Sequence, residues 1–251
     1  MTMQSFFASV RKAFGPLSQK QVEGIETILR ATMDLPLAHQ AYVLATAWHE
    51  TAATMQPIAE YGKGAKKAYG KADKTGKAPY GRGYVQLTWR ENYVKADAKL
   101  GLEGKLAADY DLALRPDIAV QILVRGMIEG WFTGKKLSDY PPSKYPTTTD
   151  CYDAMRPIVN GRDKAALIAN HAKKFEDALG LIDDADPAPK PAVGTIPTQA
   201  PQMPQEPPPV VPAPNPSGTG ESPQAAQPAQ KRGLLLAILE LIAAIFGSRK
   251  G

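Results

Sequence analysis

The chain has 251 residues, 43% of them hydrophobic, and a formal net charge of +5, which allows one sizeable folded domain plus appendages. The mild basic balance suits an anionic polymer or surface, but no zinc-ligand spacing and no long basic stripe occurs, so nucleic-acid reading is set aside. A single cysteine, Cys151, excludes an internal disulfide, and with three scattered histidines (His39, His49 and His171) no Cys/His metal centre is expected.

In chain order, the first predicted element is a helix, because Phe6, Val10 and Phe14 recur every four residues. Ser18 and Gln21 form a capping-box pattern ahead of Val22, Ile25 and Leu29, which predicts a second helix. Asp34 and Pro36 can start a third, HQAYVLATAWHE, with Ala41, Leu44, Ala45 and Trp48 on one face. Residues 61–84 are rich in Gly and Lys and have no period, so they read as a long loop, functional or mobile. Its stretch 63–77 holds Lys63, Lys66, Lys67, Lys71, Lys74 and Lys77 against Asp73 alone. These lysines either track negative charge on a bound polymer or are simply solvated. A short hairpin near 80–87 is allowed. Helical patterns return at 89–100, 117–132, 150–159 and 163–179, the last with Asp163 near its start and Gly180 at its end. With no run of alternating strands and no internal repeat, the fold class is mainly α.

The composition changes after the last helix. Fourteen of the 23 prolines fall between Pro187 and Pro228, in a stretch without Phe, Trp or Tyr. Such a segment cannot offset its ordering entropy by burial, so 185–230 reads as a disordered Pro-rich linker after a folded body of residues 1–184. Residues 231–251 form a cationic, apolar tail. Its thirteen residues Leu234–Phe246 contain one acid, Glu240. As a helix this run is about 20 Å long, short of the roughly 30 Å hydrocarbon core, so an amphipathic helix lying on a membrane surface is expected rather than a spanning one. Packing on a partner or a second copy is the plainer alternative. The first residues lack the apolar run of a secretory signal, which implies synthesis in a cytoplasm without encoded Sec export.

Two carboxylates stand out as candidates for chemistry. Glu50 ends a largely apolar helix beside Trp48 and His49, and both burial and the negative end of a helix dipole raise a carboxyl pKa. A Glu protonated near neutral pH is what a general acid requires. Glu60 follows in QPIAEYG at the mouth of the loop, where a more solvated carboxylate could act as base. Two carboxylates in unlike environments are the basic apparatus of glycoside hydrolysis. In YGRGYVQLTW, the glycines flanking Arg82 permit close backbone approach. Gln86 and Thr88 would share one face of an extended segment, where both could hydrogen-bond a sugar or a water. Thr88 also fits a capping box with Glu91. Tyr80, Tyr84 and Trp89 offer sugar-stacking faces or core.

The segments LSQKQVEGIETIL, LATAWHETAATMQPIAEYG, YGRGYVQLTWRENY, GMIEGWFTGKKL and IVNGRDKAALIANHAKKFEDAL span nearly all of residues 15–180 in order. Together they resemble the family 19 glycoside hydrolases, the class of plant-type chitinases and many phage endolysins. The short interval between the two Glu residues and the lack of many cysteines place the likeness nearer the phage and bacterial lysozyme-like branch.

The resemblance implies a two-lobed, lysozyme-like helical domain with a central cleft, no cofactor and no metal. It implies Glu50 as general acid, Glu60 as the base that activates water, and Thr88 as a holder of that water. It places Gln86, Asn92 and Asn160 on the substrate, with Tyr61, Tyr80 and Trp89 as further contacts. His49 and Arg82 would orient the carboxylates, although His49 could instead be a structural histidine. Inversion would set the carboxyl groups roughly 6.5–9.5 Å apart. The sequence departs from the pattern before IVNG, where the usual Arg-Arg pair reads Met155-Arg156-Pro157. The expected activity is hydrolysis of β-1,4 bonds in peptidoglycan by a monomer, at the bacterial wall, with the tail on a membrane surface. A chitinase, a non-catalytic glycan-binding protein and a membrane-disrupting protein are the alternatives.

Overall fold

The computed structural model describes residues 3–182; the expected linker 185–230 and tail 231–251 lie outside the described residues. Eight α-helices are present among them: α1 (Met3–Phe14), α2 (Gln19–Thr32), α3 (Leu37–Glu50), α4 (Arg90–Leu100), α5 (Lys105–Ala108), α6 (Pro116–Glu129), α7 (Thr148–Met155) and α8 (Ala165–Leu179). Short 3-10 turns join several of them, as at Tyr110–Leu114 and Arg156–Ile158. Two two-residue strands, β1 (Ile58–Ala59) and β2 (Arg82–Gly83), pair antiparallel with Ile58 opposite Gly83 and Ala59 opposite Arg82. The domain is mainly α, as the periodicity indicates.

Helix starts follow local chemistry where the side chains are right. Ser18 Oγ accepts from the Gln21 backbone N–H at 3.3 Å, and Gln21 Oε1 accepts from the Ser18 N–H at 2.8 Å, closing the predicted capping box. Pro116 opens α6, and Gly130 ends it in the left-handed region at φ 76°. Three expected starts differ. Pro36 stands at the N-cap of α3, without a side-chain cap from it or from Asp34. Lys164, not Asp163, precedes α8, at φ 58°. Trp89, not Thr88, precedes α4 at φ 67°, and no side chain caps that helix.

Helix α3 lies at the centre. All residues from Ala41 to Ala47 are fully buried, so the helix has no solvent face rather than the single apolar face read from its sequence. The reason is that α8, α2 and α6 all pack on it. Helices α1 and α7 pack on α8, and Phe14, Trp48 and Phe175 form a three-ring cluster with centroids 4.5, 4.7 and 5.9 Å apart. A second group is formed by β1, β2, α4, α5 and the turn Tyr110–Leu114. Helix α6 touches both groups. Glu50 belongs to the first and Glu60, directly after β1, to the second.

The chain reverses sharply after Glu50. Ala52, Ala53 and Met55 all have positive φ (48°, 64° and 52°), which L-residues hold only when their surroundings over-determine them. Here α2 does so: Gln21 Nε2 donates to the Ala53 carbonyl at 2.8 Å and Gln56 Nε2 to the Lys20 carbonyl at 2.5 Å. Thr51 Oγ1 donates to Ala47 O (2.7 Å) and accepts from Met55 N (3.1 Å). Gly24 lets the two backbones meet, since a Cβ there would lie 1.7 Å from Met55 O. Alanine gains about 1 kcal/mol over glycine in a helix interior, but a clash with backbone oxygen cannot be relieved by rotamer change. Gly24→Ala is therefore expected to destabilise by roughly 1–3 kcal/mol, read as a lower urea midpoint at unchanged m-value.

Candidate functional site

Glu50 sits on the last turn of α3 with its side chain 15% exposed, and its Oε1 accepts from Arg156 Nη1 at 3.2 Å. Arg156 is 3% exposed and its Nε donates to the Asp163 carbonyl at 2.9 Å, which fixes the guanidinium. Burial raises the Glu50 pKa above the ordinary carboxylate value of 4.5, while the Arg156 charge and hydrogen bond pull it down. The burial effect wins, so Glu50 is biased toward its protonated form.

Glu60 is held differently. Its backbone N–H donates to Gly81 O at 2.7 Å, beside the β1–β2 pair. Its Oε2 accepts from the Gly81 N–H at 3.1 Å and its Oε1 from the Tyr69 hydroxyl at 3.3 Å. A side chain at Gly81 would crowd Gln86 Oε1 at 2.8 Å and Glu60 Cβ at 3.3 Å. The glycine read as permitting close approach thus meets the carboxylate itself. Tyr69 also meets Trp89 edge to face, with centroids 5.4 Å apart and planes at 77°. Trp89 is 46% exposed and Tyr61 is 78% exposed, so an aromatic rim flanks Glu60.

The segment 82–89 is a tight hairpin rather than an extended strand. Arg82 and Leu87 exchange backbone hydrogen bonds of 3.2 and 2.9 Å, and Gln86 between them has φ 54°. Gln86 and Thr88 therefore do not share the face expected of an extended run. Gln86 Nε2 is committed to the carbonyls of Ile58 (3.1 Å) and Gly83 (3.2 Å), tying β1 to the hairpin. Thr88 is half-buried; its carbonyl accepts from Asn92 Nδ2 at 2.9 Å, and its hydroxyl has no hydrogen-bond partner among the described residues.

Arg82 departs from its expected role. Its guanidinium is 2% exposed and binds Asp111 Oδ1 (2.8 Å) and the carbonyls of Tyr80 (2.9 Å) and Ala78 (3.1 Å), lying 3.6 Å over the Tyr80 ring. It orients neither carboxylate; it ties down the loop, and it covers one face of the tyrosine expected to stack on sugar. His49 makes no hydrogen bond to either Glu among the described residues. Burial lowers its pKa, and Arg156 adds to the effect. Arg156 takes the orienting place at Glu50 that the sequence reading gave to His49 and Arg82. Asn160 is exposed, a few residues beyond Arg156, with Oδ1 accepting from Gly161 N at 2.8 Å.

The roles of two residues were missed in the sequence. Arg156 was noted only as a departure before IVNG, and nothing local marks it as the partner of Glu50. Tyr69 is the one aromatic within the lysine-rich stretch 63–77.

No protein-family model matches the chain, and no curated protein matches it. Among solved structures it is similar to chitinase C from Streptomyces griseus HUT6037, with 21% identity and a TM-score of 0.49, over 70% of this chain and 76% of that one.

Proposed function

We propose that this chain is an inverting glycoside hydrolase that cuts the β-1,4-linked glycan of bacterial peptidoglycan. The observation that carries the reading is the unlike setting of its two carboxylates. Glu50 is buried against one cation and biased toward the acid form; Glu60 is a part-exposed acceptor beside an aromatic rim. Glu50 gives its proton to the leaving glycosidic oxygen as the C–O bond breaks, and Arg156 stabilises the carboxylate that remains. Glu60 takes a proton from the water that attacks the anomeric carbon from the opposite face, with Thr88 Oγ1 as a second holder of that water. A crystal complex with an uncleaved oligosaccharide is expected to show the carboxyl groups roughly 6.5–9.5 Å apart.

The test is digestion of purified peptidoglycan and of soluble chitin oligomers by the full chain, with mass spectrometry of the new reducing ends. Muropeptides ending in N-acetylmuramic acid support the proposal. Cleavage of chitin with the wall untouched would make the enzyme a chitinase, and silence on both would leave a glycan-binding protein. The same reading puts the catalytic body at the wall and the tail 231–251 on a membrane surface. Deleting 231–251 is expected to abolish binding to anionic liposomes in a flotation assay.

Tyr69→Phe removes the hydroxyl on Glu60 while keeping the ring against Trp89. Loss of one such bond is expected to lower kcat roughly 3–10-fold. KM and the thermal midpoint should be nearly unchanged, which steady-state kinetics and calorimetry would read.

A further inference from the structure

The segment 61–77 begins at the residue after Glu60 and is folded back on itself. Gly64 and Gly70 touch so closely that a Cβ on Gly70 would lie 1.9 Å from Gly64 O. Lys63 N donates to Glu60 O at 2.9 Å, and the Tyr69 hydroxyl reaches the Glu60 carboxylate. At the far end, Asp73 Oδ1 accepts from Thr75 N and Oγ1 (2.8 and 2.7 Å), and its Oδ2 accepts from the Tyr110 hydroxyl. Arg90 approaches the same carboxylate at 3.6 Å. Lys77 pairs with Asp109 (2.6 Å) and Asp111 (3.1 Å). The loop is thus pinned at both ends rather than left mobile.

This pinning sorts its charges. The loop's one acid, Asp73, is turned inward and satisfied, and Lys77 is neutralised. Lys63, Lys66, Lys67, Lys71 and Lys74 are exposed and make no ion pair among the described residues. Five exposed lysines without an ion pair among the described residues are therefore carried on one held loop, which starts at the residue after the carboxylate that would activate water. Charges grouped in this way attract anionic ligands over about a Debye length, roughly 10 Å at 0.1 M salt.

We propose that these five lysines recognise carboxylates carried as side groups on the glycan that passes Glu60, so that the site selects a peptide-substituted, anionic strand over a neutral one. The proposal rests on the reading of Glu50 and Glu60 as a glycan-hydrolysing pair. It goes beyond that reading by placing the substrate discrimination in this loop. A ligand attached to the strand being cut fits best, because the loop that carries the lysines is tied to Glu60 through Lys63 N and Tyr69. The free carboxylates of wall stem peptides meet that condition, and plain N-acetylglucosamine chains have no such group.

The experiment measures co-sedimentation of the full chain, carrying Glu50→Gln so that the substrate persists, with three insoluble glycans. These are intact peptidoglycan, peptidoglycan whose carboxyl groups have been converted to amides with a carbodiimide and ammonia, and chitin. The five lysines are changed to Gln together, against a charge-matched control with Lys12, Lys20, Lys135, Lys136 and Lys144 changed to Gln. Removing a steering patch of this size is expected to weaken binding to intact wall roughly tenfold or more at low salt and to flatten the salt dependence. The loop variant and the parent should bind amidated wall and chitin equally, and the control should behave as the parent. Equal binding of parent and loop variant to intact wall would overturn the proposal. So would an equal loss in the control, or a loss that persists on amidated wall, which would point to another anionic polymer. Hydrolysis is assayed separately with Glu50 intact, so a chain that cuts no glycan refutes the enzymatic reading and not the lysine surface.

Discussion

Glu50→Gln is expected to lower kcat for glycan hydrolysis by about 10²–10⁴-fold, with the helical circular dichroism intact. The amide keeps the shape of the acid and an oxygen that can accept from Arg156, but it cannot protonate a leaving group. The substitution also has a stability signature with a definite sign. The folded-state pKa of Glu50 is raised above 4.5 by burial. Its stabilising contribution is therefore fully present below about pH 4.5 and is lost as pH rises through the folded value. Glutamine has no charged form to desolvate. The variant should thus gain relative to the parent between pH 4 and pH 7 in urea midpoint, even if it is less stable at both. A kcat within tenfold of the parent would remove Glu50 as the acid.

Arg156→Leu is the second substitution with a large expected effect. The guanidinium is almost wholly buried and serves both Glu50 and the Asp163 carbonyl. Removing one partner of a buried ion pair strands the other, at about 3–5 kcal/mol when that partner is charged. Protonation of Glu50 relieves the stranding, so the loss should be largest at neutral pH and smaller near pH 4. Arg156 is also what pulls the Glu50 pKa down against burial. Without it the pKa rises further, and the alkaline limb of the pH–rate profile should move to higher pH while kcat falls through misplacement of the acid. Arg156→Lys should recover part of the charge effect but not both bonds, because an ammonium lacks the planar fork. An unmoved alkaline limb in Arg156→Leu would mean that Glu50 does not set it.

The mainly helical class and most helix positions were legible from periodicity and caps, because those signals are local. The Ser18–Gln21 box is written in adjacent residues, whereas the helix expected over 117–132 stops at Glu129, where Gly130 takes the left-handed region. Helix α5 and the turn at Tyr110–Leu114 were not legible, since segments of four or five residues carry too little period to read. The site was legible only in its carboxylates. The partner of Glu50 lies 106 residues further along the chain, which no spacing rule reaches. Arg82 was set beside the carboxylates by the resemblance alone, whereas the acid that claims it, Asp111, comes from a distant turn. The lysine loop looked mobile because its ties to Asp109, Asp111 and Tyr110 are likewise non-local.

The full burial of α3 has a consequence for biosynthesis. Its residues from Ala41 to Ala47 have no face that water can satisfy, and α8, which packs on them, ends the described domain. Ribosomes add roughly 5–20 residues per second, so the 106 residues between Glu50 and Arg156 take about 5–20 s to appear. Through that interval α3 lacks the cover of α8, so the nascent chain is expected to need protection from aggregation. Glu50 likewise stays without its buried partner until Arg156 has emerged, with 95 of the 251 residues still to be added.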